Sequence, residues 1–364
     1  MEIDSRSDFS WGRSNEWIFV LSTILFSGLI AQFPRIFDLN PEVFYPRNIA
    51  LIIFPSLITY ISWRNNLSTN YFILPIILII VSTVFINFLP GDENNDVFIL
   101  SCLHLPLFLW SIYGYAFMGE NWKKSKDRIN FLKYNGDFIV ILTILLISCF
   151  LFSAITINLF ALIEINIEDF YFQNIVSWGL PGIPILASFL VINNPSLTQK
   201  ISPLIAKIFT PFVFITLFIF SLSIIATGKD IYGDRDLLLI FNVILIAVMA
   251  LIFFSLGESI KVGSGKIQIF LLFLLSLITI LDDLLALSAI GFRLFEFGIT
   301  PNRIAVLVPN LLILFHLLIV SKQIIRVLKN KLKVNTIEEK IGKYLPIYTI
   351  WAAVVTFLFP FLFH

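Results

Sequence analysis

The residues with the most potential for chemistry lie in one apolar stretch in the last third of the chain. Asp282 and Asp283 are adjacent within a run of leucines and isoleucines, and Arg293, Glu296 and Arg303 follow them. Carboxylates in such a run are costly without a partner, and in membrane proteins they often mark ion or solute paths. We expect Asp282 and Asp283 to bear charge along a path for a small solute or ion, with the other three residues as an outer gate.

The spacing of these residues places them on one face of a predicted helix. If that helix runs unbroken over about residues 267–297, Arg293 and Glu296 lie within roughly 40° of Asp282. A structural alternative stays open, in which the carboxylates pair with Arg235, Arg293 or Arg303 and hold neighbouring helices together. The two interpretations differ in whether the acidic pair is sealed by ion pairs or open to a passing ion.

The signals that end this helix and begin the next are unusually clear. Gly298 suits the left-handed backbone position after a helix C-terminus. Thr300 followed by Pro301 is typical of an N-cap with proline at the first helical position. The chain is therefore predicted to turn tightly here and re-enter the apolar phase.

A second unusual stretch, SWGLPGIP at 177–184, interrupts another apolar run with four helix-disfavouring residues. They are Gly179, Pro181, Gly182 and Pro184. Prolines inside a helix free backbone carbonyls, so the stretch predicts a broken helix. Such breaks line substrate sites in many transporters, but a kink whose carbonyls are satisfied by neighbouring helices is the alternative.

Two basic segments contain apolar residues at regular intervals. The first, at 120–136, ends in Asn135-Gly136, which predicts a turn, and the second precedes Thr336-Ile337-Glu338-Glu339, which is typical of a capping box. Both are predicted to lie against anionic lipids through Lys123, Lys124, Lys126, Arg326, Lys329, Lys331 and Lys333. The alternatives are a simple retention signal or a docking surface for a membrane or cytoplasmic protein.

The composition indicates that all of these residues belong to a membrane protein. Of 364 residues, 58% are hydrophobic and 13% are charged, and the mean hydropathy is +0.92. Such a chain is too apolar for a water-soluble domain and leaves no hydrophilic block for an appended one. We expect a single all-α domain over residues 1–364, a polytopic transmembrane helix bundle.

A membrane-crossing helix needs about 20 apolar residues, and this length divides the chain into eleven candidate spans. They lie near 17–34, 48–63, 71–89, 97–118, 137–163, 171–192, 203–227, 236–256, 267–291, 303–320 and 345–363.

The basic residues are distributed unevenly between alternate loops. Of the 25 Lys and Arg residues, 19 fall on the N-terminal side and six on the other. Since Lys and Arg concentrate in cytoplasmic loops, the N-terminus is predicted to be cytoplasmic, with the protein in a bacterial inner membrane.

The sequence offers no support for a cofactor, a metal or nucleic acid. It contains no GxxxxGK[ST], HExxH or GxSxG motif, and Cys102 and Cys149 lie apart in apolar runs without ligand spacing. We therefore expect no cofactor and free thiols, and an enzyme is the least favoured class.

One motif resembles a known family. The run Arg293-Leu-Phe-Glu296-Phe297-Gly298-Ile-Thr300-Pro-Asn-Arg303 is similar to the R-x-x-E-Y-G-[LI]-T-x-x-R signature of bacterial polytopic proteins catalogued as domain of unknown function 4153. Phe297 stands where that signature has tyrosine. The resemblance covers at most residues 200–320 and implies a permease-like inner-membrane bundle without implying a substrate.

Two functional hypotheses follow. The first is a permease-like protein that moves a small solute or ion past the acidic pair. The second is a non-transporting sensor, scaffold or assembly subunit that acts through the basic cytoplasmic segments. The first requires a path to Asp282, whereas the second predicts that neutralising the bases at 322–333 abolishes function.

Overall fold

The computed structural model describes residue 10 and residues 12–91, 95–161, 165–227, 232–233, 235–261, 266–333 and 335–363. Helix is the only regular secondary structure in these ranges, and eleven helices there are long and apolar enough to cross a membrane. The predicted all-α fold with eleven spans is confirmed.

The eleven helices are numbered in chain order. They are α1 Ser14–Ala31, α2 Pro41–Arg64, α3 Thr69–Phe88, α4 Asp96–Met118, α5 Ser125–Ala161, α6 Glu168–Asn193, α7 Pro195–Thr227, α8 Arg235–Lys261, α9 Lys266–Phe297, α10 Pro301–Leu328 and α11 Asn335–Leu362.

The turn between α9 and α10 forms as the sequence predicts. Gly298 has φ of +77°, a left-handed conformation that glycine adopts without steric cost. Thr300 is the N-cap of α10, its hydroxyl accepts from the Arg303 backbone N–H at 3.4 Å, and proline occupies the first turn. Local chemistry therefore accounts for the turn that joins α9, which carries the acidic pair, to α10.

Two local predictions at the basic segments are wrong. No turn occurs at Asn135-Gly136, because α5 continues through both residues and the buried Asn135 accepts from Trp110 Nε1 at 2.8 Å. The capping box at Thr336 does not form, because α11 already begins at Asn335 and the Thr336 hydroxyl donates to the Lys333 carbonyl. α5 thus extends beyond its apolar run and contacts α4 through Asn135 and Trp110.

The predicted break in α6 is replaced by a change of helix type. Phe172–Val176 form a π-helical turn and Leu180–Gly182 a 3₁₀ turn, but the backbone stays right-handed through both. The irregular turns pack closely on α1, and a Cβ on Gly182 would lie 2.6 Å from Ile24. Gln32 Nε2 donates to the Gln173 carbonyl at 3.2 Å, so a neighbouring helix satisfies part of the loosened backbone.

The chain divides into two compact units, and α4, α5 and α7 each contribute to both. Unit 1 contains α1, α2, α3 and α6, with α4 from Leu105 and α5 from Tyr134. A network of three hydroxyls lies in its core. Tyr113 and Tyr134 are 2.6 Å apart through their hydroxyl oxygens, and both contact the Ser188 hydroxyl.

Unit 2 contains α8 to α11, the part of α7 from Ile201, the start of α4 and the first turns of α5. Its core is an apolar cluster in which α8, α9 and α10 pack on one another, with Leu272, Leu317 and Leu256 fully buried. Large apolar side chains such as Phe150 and Phe295 are exposed on the chain's outer surface, as expected where lipid is the solvent. Cys102 and Cys149 do not form a disulfide with each other, as predicted.

Candidate functional site

Asp282 and Asp283 lie at the middle of α9 in unit 2. This helix is continuous from Lys266 to Phe297, which confirms the predicted unbroken helix. Asp282 is 3% exposed and Asp283 is fully buried. Because the two residues are adjacent, their side chains project about 100° apart around the helix and meet different neighbours.

Asp282 has one hydrogen-bond donor among the described residues. The Ser221 hydroxyl of α7 lies 2.8 Å from Oδ1 and 3.0 Å from Oδ2 of Asp282. The same hydroxyl lies 2.7 Å from the Leu217 carbonyl, so its single proton is shared between two acceptors. The carboxylate of Asp282 is therefore only partly stabilised by hydrogen bonding.

Asp283 has no such support. Both of its carboxylate oxygens are buried, and neither has a hydrogen-bond partner in the part of the chain that the structure describes. A buried charge without a partner costs several kcal/mol, so this side chain is stable as a neutral acid or with a cation beside it. Asp283 is the strongest functional signal in the molecule.

Three aromatic residues of α10 and α11 form a polar cluster in unit 2. The Tyr348 hydroxyl lies 3.1 Å from His316 Nδ1. The ring of His316 stacks on Tyr344 at 4.2 Å between centroids, and its Nε2 is buried without a partner among the described residues. Asp283 and His316 thus provide two buried groups in unit 2 that are each able to exchange a proton.

Two pairs of polar side chains in unit 2 are satisfied by each other. Asn310 Nδ2 donates to Asn242 Oδ1 at 2.7 Å, and the Ser321 hydroxyl donates to that of Ser276 at 2.9 Å. These bonds join α8 to α10 and α9 to α10, which is the ordinary use of polar residues between membrane helices. Asp283 differs from the other incompletely bonded residues of unit 2, such as His316 and Arg293, because both of its carboxylate oxygens lack a partner among the described residues.

Arg293 lines a cavity at the C-terminal end of α9. The cavity has a volume of about 520 Å³ and is also lined by Tyr232, Phe292 and Phe297. The Nη1 atom of Arg293 is buried there without a hydrogen-bond partner among the described residues. Ten residues of helix place Arg293 about 15 Å along the axis from Asp283.

The other two predicted gate residues are used differently. Arg303 Nη1 donates to the carbonyls of Phe297 at 2.7 Å and Gly298 at 2.5 Å, which caps the C-terminus of α9. Glu296 is exposed. No two of the five predicted residues form an ion pair with each other in the described structure, and the side chain of Arg235 lies outside the described residues. Pairing with Arg293 or Arg303, the structural alternative, is therefore not observed.

The fold joins the two basic segments of unit 2. Lys133 Nζ and Glu338 Oε1 form an ion pair, and Arg128 Nη1 donates to the Gly342 carbonyl at 3.1 Å. The seven bases named from the sequence are all exposed: Lys123, Lys124, Lys126, Arg326, Lys329, Lys331 and Lys333. We call the surface formed by residues 121–133 and 322–343 the basic face.

The described residues contain no group of three or more His, Cys, Asp or Glu side chains placed to hold a metal ion. Sequence reasoning missed Ser221 and Tyr348, because a serine or tyrosine in an apolar run is common and only packing shows its partner.

A scan of protein-family models finds no match to this chain, and searches of the curated proteins and of the solved structures find none either.

Proposed function

We propose that this protein is a permease-like membrane protein that moves a small cation through unit 2, with Asp283 as the group that binds and releases it. The observation that supports this proposal is the burial of both Asp283 oxygens without a donor. A side chain whose stable states are protonated or cation-bound is suited to alternate between loading and release.

The proton is the cation that the local chemistry favours. Na⁺ or Ca²⁺ sites need several oxygen ligands around the ion, whereas a single carboxylate takes up a proton. The polar cluster of unit 2 adds a single hydroxyl, that of Tyr348, beside a nitrogen base, His316. Asp282, with its shared Ser221 hydroxyl, and Arg293 in its cavity lie on a different face of α9.

The membrane and orientation form part of the proposal. The excess of Lys and Arg on the N-terminal side supports a cytoplasmic N-terminus in a bacterial inner membrane. The resemblance of residues 293–303 to the family of unknown function also supports a bacterial inner-membrane location, and this too is part of the proposal.

Proton flux into proteoliposomes tests the proposal. The full chain is reconstituted with a trapped pH-sensitive dye, and a potassium diffusion potential drives uptake. We expect Asp283→Asn to reduce protein-dependent flux at least tenfold, because the amide cannot exchange a proton. Glu296→Gln removes an exposed carboxylate from the same helix and is the matched control. Unchanged flux in Asp283→Asn would contradict the proposal. The same potential-driven assay with a trapped sodium-sensitive dye and external sodium distinguishes Na⁺ from the proton.

The basic face supports a second candidate function. Its two segments are far apart in sequence but are joined by Lys133 with Glu338 and by Arg128 with the Gly342 carbonyl. A non-transporting sensor, scaffold or assembly subunit would use such a face to hold anionic lipid or an acidic partner protein. Replacing Lys329, Lys331 and Lys333 by Gln tests it, since this function predicts loss of partner or lipid association with normal proton flux.

A further inference from the structure

Unit 1 contains a polar cavity that the proposed function does not use. It has a volume of about 440 Å³, within the range of small-molecule sites, and lies where α1 begins and α2 and α6 end. Its lining is formed by Ser10, Gly12, Arg13, Asn15, Glu16, Trp63, Arg64, Asn66 and Asn193. It shares no residue with the acidic pair of α9.

The inner wall of the cavity is the buried carboxylate of Glu16. Its Oε1 accepts from the Tyr60 hydroxyl at 2.8 Å and from Asn193 Nδ2 at 2.8 Å, and lies 3.2 Å from Arg64 Nε. Three donors contact this one oxygen and fix the Glu16 side chain. Arg64 is held in turn through the Nε atom of its guanidinium group. The cavity wall is therefore preorganised before any ligand enters.

The cavity has a cationic excess. Arg64 is engaged through Nε, its side chain is 42% exposed, and no described residue accepts from its two terminal nitrogens. Arg13 lines the same cavity and has no ion-pair or hydrogen-bond partner in the described part of the chain. Two guanidinium groups against one carboxylate leave a net charge of +1, which one anionic ligand group balances.

The backbone at this cavity adds to the attraction for an anion. Arg13 is the N-cap of α1 and provides no side-chain acceptor, so the first amides of the helix face outward with the positive end of its dipole. Gly12 has φ of +71°, and a Cβ there would lie 2.8 Å from Glu16 Oε2. Ser10 and Asn194 exchange two hydrogen bonds, which hold this segment beside the cavity.

We propose that this cavity binds a small molecule through a carboxylate or phosphate group held by Arg13 and Arg64. Guanidinium groups bind such oxyanions in a bidentate manner, and Glu16 positions one of them. Asn15, Asn66 and Asn193 are the amide side chains that contact the rest of the ligand, and Trp63 provides an apolar wall. The oxyanion comes from a free metabolite or from the headgroup of an anionic lipid, because the cavity lies at helix ends.

Calorimetric titration of the full chain in neutral nanodiscs, with inorganic phosphate and succinate as probes, tests this assignment. We expect Arg13→Gln to weaken binding of at least one probe tenfold or more, because the side chain has no described structural partner. Arg64→Lys keeps the charge but loses the bidentate geometry, and a weaker but measurable affinity is expected. Arg35→Gln removes an exposed arginine just beyond the other end of α1 and is the matched control, with unchanged binding.

Nanodiscs that contain phosphatidylglycerol distinguish the two sources. If the lipid competes with phosphate in the natural chain and this competition disappears in Arg13→Gln, the ligand group is a lipid headgroup. If phosphate or succinate binding is unaffected by the lipid, the ligand is a free anion. Binding of probes and of lipid that is the same in Arg13→Gln as in the natural chain would overturn the proposal, whatever the outcome for proton flux.

Discussion

Glu16 in unit 1 and Asp283 in unit 2 are both buried carboxylates in membrane helices, but their surroundings are opposite. One oxygen of Glu16 is contacted by a hydroxyl, an amide and a guanidinium group. Asp283 has no donor among the described residues. Asp282 stands between them, with one shared hydroxyl.

The comparison separates two uses of a buried charge. A carboxylate with several fixed donors stays ionised, holds its neighbours in place and presents a stable wall. A carboxylate without donors gains from each proton or cation that reaches it, which is the property needed for exchange. We therefore place a binding site at Glu16 and an exchange site at Asp283.

The largest expected effect is at Glu16. Glu16→Leu leaves the Tyr60 hydroxyl, the Asn193 amide and Arg64 without their shared acceptor, and should lower the free energy of unfolding by about 3 kcal/mol. Unfolding by dodecyl sulfate in mixed micelles, followed by circular dichroism, measures this loss. Glu296→Leu, at an exposed carboxylate, should change stability little, and an equal loss in both variants would refute the special role of Glu16.

The reverse sign is expected at Asp283. Asp283→Leu removes an unsatisfied buried group of similar size and should raise the free energy of unfolding by about 1 kcal/mol while it abolishes proton flux. The same titration and the flux assay measure the two quantities on one sample. A loss of stability of 1 kcal/mol or more would mean that Asp283 has a structural partner after all.

The Lys133 and Glu338 pair of unit 2 provides an intermediate case. Each side chain is 15% exposed, so the pair is neither fully buried nor fully solvated. A double-mutant cycle with Lys133→Met and Glu338→Gln should give a coupling of about 0.5–1 kcal/mol. A coupling near zero would indicate that apolar packing, and not this pair, joins the two halves of the basic face.

The smallest effect is expected at Asp282. Ser221 already shares its proton with the Leu217 carbonyl, so Asp282→Asn should change the free energy of unfolding by less than about 0.5 kcal/mol. Ser221→Ala should be similarly mild. If either variant costs as much as Glu16→Leu, the ranking of these carboxylates by their number of donors is wrong.

How much the sequence could predict differs between secondary-structure elements and side-chain contacts. The α9 to α10 turn was predicted residue by residue, because Gly298, Thr300 and Pro301 act through local backbone geometry. The turn at Asn135-Gly136 was wrong, because α5 continues through it and Asn135 contacts Trp110. The irregularity predicted at Gly179 to Pro184 occurs, but as a 3₁₀ turn within a right-handed helix. The charged stripe of α9 was predicted as a set, but the structure uses Arg303 as a cap and leaves Glu296 exposed.

The sequence by itself determined that this chain is a helical membrane protein with eleven candidate spans, because hydropathy and length act independently of tertiary contacts. It also singled out Asp282 and Asp283, since charge in an apolar run is visible without a structure. Only the tertiary structure decided which carboxylates have donors. The bond between Glu16 and Asn193, which lie 177 residues apart, forms only in the tertiary structure. The sequence does not show which distant residue will contact a buried charge. The free energy of that charge nevertheless depends on this partner.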